Sequence, residues 1–384
     1  MKKIIIFGSS GSIGKNTLEV IRRSKNNFKV VGLCVYNDVE TLLMQAKEFL
    51  PENICIVDQN YSNKIKDLPK KIKVFIGKDG LNDFSKIKSD ISVMAISGLS
   101  CLKPLILHIP YTKRIALANK ESIVTASKFI FKEAKKQNVE IFPVDSEINA
   151  IFQFFSFDKK ILNSNFLNKI YITASGGSLL NRKKKDLTSV KIKDVLSHPT
   201  WKMGKRITVD CATLVNKGFE VIEVHNFFDI PYEKIDILIH RQSQVHALLE
   251  LKDKTIIACL YPTDMRIPIS YALYYPERFY NNDGFDFKNK FSFSFEPISF
   301  KKFPLLKLIL EAAKKQDNSL VILNACDEIA IEYFLKRKIK FIHIYKVLEY
   351  MFSRYPSMQL KTIEDVFYWD NWSRIKTKEY LNRL

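Results

Sequence analysis

The stretch Ile4-Ile5-Ile6-Phe7-Gly8-Ser9-Ser10-Gly11-Ser12-Ile13-Gly14 decides the fold. Four apolar residues make a buried strand, glycines make a tight turn, and an amphipathic helix follows through Leu18, Val20 and Ile21. This order opens a Rossmann unit. Glycine lets the backbone approach a pyrophosphate, and the helix N-terminus faces its charge. The spacing is G-x-x-G-x-x-G and departs from G-x-G-x-x-G, so a plain tight turn is the competing reading. Its place at the first strand favours the nucleotide site. Met1-Lys2-Lys3 resembles the start of a signal peptide, yet the apolar run is too short and leads straight into the turn.

Outward from that turn, residues 28–35 form a second apolar run that ends in Tyr36-Asn37-Asp38. In a nucleotide-binding domain this is where the adenosine ribose is read, which makes Asn37 a candidate cofactor contact. No Lys or Arg stands in the turn to meet a 2′-phosphate, and Asp38 serves equally well as the N-cap of the helix over 39–49. Further strands are expected at 54–57, 74–76, 91–95, 114–118 and 139–142, alternating with helical patterns. Repeated strand–helix units predict a parallel, doubly wound sheet up to about residue 150.

The chemistry gathers at Pro143-Val144-Asp145-Ser146-Glu147-Ile148-Asn149-Ala150. A strand that ends on two acids delivers carboxylates to the sheet edge where open α/β folds hold ligands. An N-cap is the competing reading of the same acids. A second acidic element, Thr213-Leu214-Val215-Asn216-Lys217-Gly218-Phe219-Glu220, offers a third carboxylate and with it an oxygen-rich site for a hard divalent cation. If that segment is helical, Asn216 and Glu220 share a face one turn apart, with Lys217 beside them. Asn119-Lys120-Glu121-Ser122 closes the strand before it, so Lys120 is either a substrate contact or an ordinary first-turn helix residue.

After Ala150 the alternation changes. A strand over 169–174 ends in Ser175-Gly176-Gly177-Ser178, whose hydroxyls and amides suit a phosphate, although such a run is also an ordinary loop. His198-Pro199-Thr200-Trp201-Lys202-Met203-Gly204-Lys205 falls outside any periodic segment and resembles a lid, while His198 taken singly reads as a structural histidine. From about Pro304 the pattern is helical and carries no reactive constellation. A packing or dimer-supporting domain is the expectation there.

Composition bounds the rest. At 384 residues two or three domains are expected, and 46% apolar with 27% charged is an ordinary globular balance. No apolar run reaches membrane-spanning length. Six cysteines without a C-x-x-C pair argue against a zinc site or a disulfide framework, and so for the cytoplasm. The net charge of +20 invites a nucleic-acid reading, but the lysines are spread along the whole chain. The densest run, Arg182-Lys183-Lys184-Lys185, is short, lacks interleaved aromatics and reads as a solvated loop. An acidic or phosphorylated substrate fits the charge better.

Taken together, the motifs resemble those of 1-deoxy-D-xylulose 5-phosphate reductoisomerases over essentially the whole length. That family's G-S-T-G-S-I-G, A-N-K-E-S, V-D-S-E-H-N-A, Ser-Gly-Gly, H-P-x-W-x-M-G and V-D-S-A-T-x-x-N-K-G-x-E patterns occur here in order, with Pro262-Thr263-Asp264-Met265-Arg266 and Leu323-Asn324-Ala325 beyond them. The resemblance implies Mg²⁺ or Mn²⁺ on Asp145, Glu147 and Glu220. It implies substrate contacts from Lys120, Ser146, Glu147, Ser175, His198, Cys211, Asn216, Lys217 and Glu220, with Lys120, Asp145, Glu147, His198 and Glu220 as the catalytic residues. It places NADPH on Ser10, Gly11, Ser12, Ile13, Asn119, Glu121 and Gly204, with Trp201 and Met203 in the lid. It implies a homodimer acting on a phosphorylated sugar, with no nucleic-acid or membrane partner. The domains expected are 1–150 for NADPH, 151–290 for metal and substrate, and 291–384 as linker and helical domain. The fold class is α/β: a Rossmann-type sheet, an α+β catalytic domain and a helical C-terminus. Four departures stand out. Ile148 replaces a His, Cys211 a Ser, Thr263 a Pro, and Tyr36-Asn37-Asp38 a Gly-Lys/Ser-Asn type of turn. They keep two rival readings open, a dehydrogenase without isomerase activity and a non-catalytic nucleotide-binding homologue.

Overall fold

Continuous runs of Ile, Val, Leu and Phe, buried on both faces, build a parallel sheet, because helices must cover both of its sides. The computed structural model describes residues 1–24, 26–65, 68–69, 71–157, 166–279, 284–288, 290 and 292–383. Its first compact unit comprises Met1–Ser122, Lys128–Asn149 and Asp264–Asp283. In chain order it contains β1 (Lys2–Phe7), α1 (Ser12–Arg23), β2 (Phe28–Val35), α2 (Val39–Phe49), β3 (Asn53–Ile56), β4 (Lys73–Ile76), α3 (Gly77–Phe84), β5 (Ile91–Met94), α4 (Leu102–His108), β6 (Arg114–Leu117), most of α5 (Lys120–Lys136), β7 (Glu140–Pro143) and the start of α6 (Ser146–Phe157).

The seven strands run in the order β4-β3-β2-β1-β5-β6-β7, and every pairing is parallel. The order reverses between β1 and β5, which opens a crevice at their C-terminal ends where such sheets bind ligands. Ile4, Ile5, Ile6 and Phe7 are fully buried, and Phe7 meets Phe84 edge to face at 5.3 Å between ring centroids. The segment Asp264–Asp283 returns to this unit through a helix, Arg266–Tyr274, that packs on α1. Phe28 and Tyr274 sit edge to face at 5.0 Å. Arg114 donates to the Tyr275 carbonyl at 2.8 Å while its guanidinium covers the Phe142 ring.

The second unit comprises Ile123–Ser127, Ala150–Thr263 and Gly284–Leu384. Its elements are β8 (Leu167–Ala174), α7 (Ile192–Leu196), α8 (Lys205–Thr213), α9 (Val215–Phe228), β9 (Ile235–Ile239), β10 (Val245–Leu251), β11 (Ile256–Leu260), β12 (Glu296–Pro297), α11 (Pro304–Ala313), α12 (Ser319–Leu335), α13 (Phe341–Arg354) and α14 (Ile363–Leu381), with α10 the Arg266–Tyr274 helix already placed in the first unit. A mixed sheet in the order β11-β10-β8-β9-β12 pairs β8 with β9 in parallel and β10 antiparallel to both β8 and β11. β11 is an edge strand that leaves Ile256 and Leu260 exposed. The helical C-terminus is present as expected. α11 to α14 bury one apolar cluster with α8 and α9, centred on Phe219, Ile222, Ile309, Ile322 and Leu348. Gly218 lets α9 lie close on α11, since a Cβ there would be 2.8 Å from Ile309 Cγ2. Thr362 and Asp365 form a reciprocal capping box that starts α14. Among the described residues no helix is long and apolar enough to cross a membrane.

Candidate active site

In the first unit, the turn between β1 and α1 has the form that a phosphate cradle needs. Gly8 has a φ of +89°, and a Cβ there would lie 2.5 Å from the Ala95 carbonyl oxygen. A Cβ on Gly14 would lie 2.4 Å from the Gly8 oxygen, so glycine is required at both ends of the turn. The amides of Gly8 and Ser9 donate to the Cys34 carbonyl at 2.9 and 2.8 Å, and Gln45 fixes the Ser9 carbonyl at 2.9 Å. α1 has no side-chain cap and no acid in its first turn. Its leading N–H groups meet no side-chain cap, an arrangement that suits an anion, beside half-buried Ser10 and Ile13 and exposed Gly11 and Ser12. At the ribose position Asp38 is the N-cap of α2, accepting from the Thr41 amide at 3.2 Å, and Asn37 is exposed.

Asn119 and Glu121 brace the neighbouring loop. Asn119 caps α5 by accepting from the Ser122 amide at 2.9 Å, and its Nδ2 donates to the carbonyls of Ile96 and Gly98 and to Glu121. Glu121 in turn accepts from the Gly98 amide at 3.1 Å. Lys120 is not an ordinary helix-start residue. It is buried, and its Nζ donates to Asp145 Oδ2 at 2.8 Å. Asp145 is at once a cap and part of this charged pair, because its Oδ1 accepts the Glu147 amide at 3.2 Å. Ser146 donates to Glu147 Oε2 at 2.5 Å. Ile148, the departure between these acids and Asn149, is fully buried, and Asn149 Nδ2 fastens the Pro143 carbonyl at 2.8 Å.

In the second unit, Ser175-Gly176-Gly177-Ser178 is a loop whose two glycines take left-handed backbone. Gly176 and Gly177 have φ of +83° and +69°, and a Cβ on Gly177 would strike the Cys211 carbonyl at 2.4 Å. Ser175 Oγ accepts the Gly177 amide at 3.1 Å and lies 3.0 Å from His198 Nε2. His198 Nδ1 accepts backbone amides from Trp201 at 3.0 Å and Thr200 at 3.3 Å, so the ring proton sits on Nε2 and points at Ser175. Burial holds this imidazole neutral, with its pKa pushed down to about 4. Ser175, with both acceptor sites taken, keeps its O–H to donate.

The segment after the expected lid is two helices rather than one. Leu214 takes a left-handed conformation (φ 60°) between α8 and α9. Cys211 is half-buried on α8; Asn216, Lys217 and Glu220 are buried on α9. Asn216 donates to Glu220 Oε1 at 2.5 Å and Lys217 to Oε2, as the helical spacing predicts. Trp201 and Met203 are half-buried. Thr200 holds Ser243 at 2.9 Å, and nothing lies within 4 Å of a Cβ built on Gly204. Glu223, one turn on from Glu220, is also buried. Arg182 and Lys183 of the basic run are exposed, and the side chains of Lys184 and Lys185 lie outside the described residues.

Comparison with known proteins adds independent findings. Residues 4–127 match the family described as 1-deoxy-D-xylulose 5-phosphate reductoisomerase, and residues 141–228 and 260–376 match two C-terminal domains of the same enzyme. A 1-deoxy-D-xylulose 5-phosphate reductoisomerase of Thermoanaerobacter sp. (strain X514) is 41% identical, the match covering 99% of this chain and 100% of that one. The enzyme of the same name from Thermodesulfovibrio yellowstonii is 40% identical, with 99% of each chain covered. The solved structure of the Zymomonas mobilis enzyme in complex with NADPH superposes with a TM-score of 0.90 at 33% identity, covering 100% of both chains. A DOX-P reductoisomerase solved with NADPH, fosmidomycin and magnesium gives 0.92 at 33% identity, covering 100% of this chain and 98% of that one.

Proposed function

The chain belongs to the 1-deoxy-D-xylulose 5-phosphate reductoisomerase family, and from that premise we propose how its own residues share out the reaction. The enzyme converts 1-deoxy-D-xylulose 5-phosphate to 2-C-methyl-D-erythritol 4-phosphate by skeletal rearrangement and NADPH-dependent reduction, in the non-mevalonate route to isoprenoid precursors. Its cofactors are NADPH and Mg²⁺ or Mn²⁺. One observation carries the assignment of roles: half-buried Asp145 and buried Glu220 each hold a buried lysine, and both stand inside family motifs.

Carboxylates paired with ammonium groups are hard oxygen donors, which fits a divalent cation. By resemblance to the family, Asp145, Glu147 and Glu220 would hold it. When bound, that cation supplies Lewis-acid polarisation of the substrate's carbonyl and hydroxyl oxygens. NADPH, whose pyrophosphate suits the open N-terminus of α1, supplies hydride, with Ser10, Gly11, Ser12, Ile13, Asn37, Asn119, Glu121 and Gly204 around it. Asn119 and Glu121 act by holding the Ile96–Gly98 loop. Lys120 turns its ammonium from Asp145 to a substrate oxygen, and Ser146 orients Glu147. His198 keeps its proton on Nε2 and, with the Ser175 hydroxyl, fixes the donor end of the substrate site. Ser175, Cys211, Asn216 and Lys217 surround the phosphate, with Lys217 supplying charge. Trp201 and Met203 exclude water from the reacting carbons.

Three parts follow from these roles: 1–150 for NADPH, 151–290 for metal and substrate, and 291–384 as helical support. A homodimer is supported by the open edge of β11, where Ile256 and Leu260 are exposed, and light scattering tests it. A cytoplasmic location is supported by scattered cysteines that form no disulfide among the described residues. The deciding experiment is metal-dependent NADPH oxidation with 1-deoxy-D-xylulose 5-phosphate, with the product identified by NMR. The rearranged, reduced product is expected. Oxidation without rearrangement would leave a plain dehydrogenase, and no oxidation a non-catalytic homologue.

A further inference from the structure

A group of charges in the second unit, with Asp210 and Asp327 buried and the rest half-buried, joins α8, α12 and α14. Arg206 on α8 donates to Glu328 Oε1 at 2.9 Å and Asn324 Oδ1 at 3.3 Å, and its Nε lies 3.9 Å from Asp210 Oδ2. Arg374 on α14 donates to the other Glu328 oxygen and, at 2.7 Å, to Asp370. Asp327 on α12 is fully buried and faces Asp210, itself buried; neither carboxylate oxygen of Asp327 meets an N–H or O–H donor. Three acids, Asp210, Glu328 and Asp370, thus share two arginines, both of which hold Glu328, and neither donates to Asp327. Two carboxylates side by side where water does not reach cannot both stay ionised.

We infer that Asp210 and Asp327 share one proton, and that this acid pair fastens α8 to α12 and so positions Cys211, the next residue on α8, at the substrate's phosphate. The second half rests on the phosphate role proposed for Cys211; the first does not. Burial, and then the neighbouring Asp210, push the Asp327 carboxyl well above the usual carboxylate range, against the pull of Arg206. The groups facing the pair are Arg206 from α8, Glu328 and Cys326 from α12, and Asp370 and Arg374 from α14. Both arginines stay charged at every pH of interest, and burial raises the Cys326 thiol further out of range. Asp370 is also raised by burial, against Arg374, so a control variant must separate it.

A carboxyl whose pKa rises on folding contributes its full stability below its unfolded value, about 3.9, and loses it as pH climbs toward the folded value. Asp327→Asn has the same shape, donates an N–H to Asp210 and has no proton to lose. Urea unfolding of the full chain at pH 5, 6, 7 and 8 is the test. The unfolding constant of wild type relative to Asp327→Asn should grow as pH rises, by at most about tenfold per pH unit. Asp370→Asn should leave that divergence in place. Parallel pH dependences of wild type and Asp327→Asn overturn the shared proton. For positioning, Asp327→Ala should raise the KM for 1-deoxy-D-xylulose 5-phosphate about threefold with kcat much less affected, and Asp327→Asn should restore it. An alanine variant with wild-type KM overturns that role. A wild-type chain inactive on this substrate refutes the proposed function instead, and the unfolding series still decides the proton.

Discussion

Lys120–Asp145 and Lys217–Glu220 are the same pair of charges built in two different ways. The first joins residues 25 apart at the ends of the adjacent parallel strands β6 and β7, where Leu117 pairs with Pro143. The second joins residues three apart on one turn of α9. One contact exists only after a sheet has closed; the other forms as soon as its helix does. The sheet-built acid also draws on backbone, through the Glu147 amide, whereas the helix-built acid is held by side chains of its own turn, Asn216 and Lys217. Identical chemistry therefore rests on long-range order in one unit and on local spacing in the other.

The largest expected effect tests whether the two acids are equivalent in function despite this difference. Asp145→Asn and Glu220→Gln should each lower turnover by on the order of 10³-fold or more, since Lewis-acid stabilisation is worth several kcal/mol, while NADPH affinity stays within a factor of about two. Steady-state rates and cofactor fluorescence titration measure this. Either variant above a tenth of wild-type turnover would break the equivalence.

Next come the glycines that support each region. Gly8→Ala places a methyl against backbone at a positive φ, whereas Gly218→Ala meets only the end of the Ile309 side chain. Denaturant unfolding should show a loss of about 3 kcal/mol for the first and about 1 kcal/mol for the second. Equal losses would mean that the helix-built region is as unyielding as the sheet-built one.

A smaller effect belongs to the phosphate side. Cys211→Ser replaces a weak donor by a good one, so the KM for substrate should fall several-fold with kcat little changed. An unchanged KM would show that Cys211 only fills space beside Gly177.

The smallest effect concerns His198. Its folded pKa of about 4 lies below the unfolded value, so its contribution is full above about pH 6.5 and lost as pH falls toward 4. His198→Gln should therefore remove a modest part of the acid sensitivity between those limits, and the imidazole NMR signal of wild type should titrate near 4. A midpoint near 6.5 would mean that the Trp201 and Thr200 amides do not hold the ring.

Much of this was legible in the chain because it is local. The glycine turn, the capping role of Asp38 and the Asn216–Lys217–Glu220 face depend on spacings of a few residues, which sequence displays directly. The Lys120–Asp145 pair was not legible, since nothing in either segment names a partner 25 residues away. Nor was the break at Leu214, because leucine gives no warning of a left-handed backbone. The return of Asp264–Asp283 to the first unit was hidden as well. Residues 268–274 of α10 are all buried, so the helix shows no polar face to mark what it covers. The Asp210–Asp327 contact spans 117 residues and two acids that no rule of pairing would bring together.

Cys211 has a consequence for chemical selectivity. Its side chain is half-buried on the helix whose backbone oxygen presses on Gly177, and a lysine follows six residues on. Relatives of the family pattern offer a hydroxyl at this place, which soft electrophiles ignore. An anionic compound carrying a mild thiol-reactive group would be drawn in by the same charges that suit a phosphate, and would bond to this chain while leaving serine-bearing relatives unmodified.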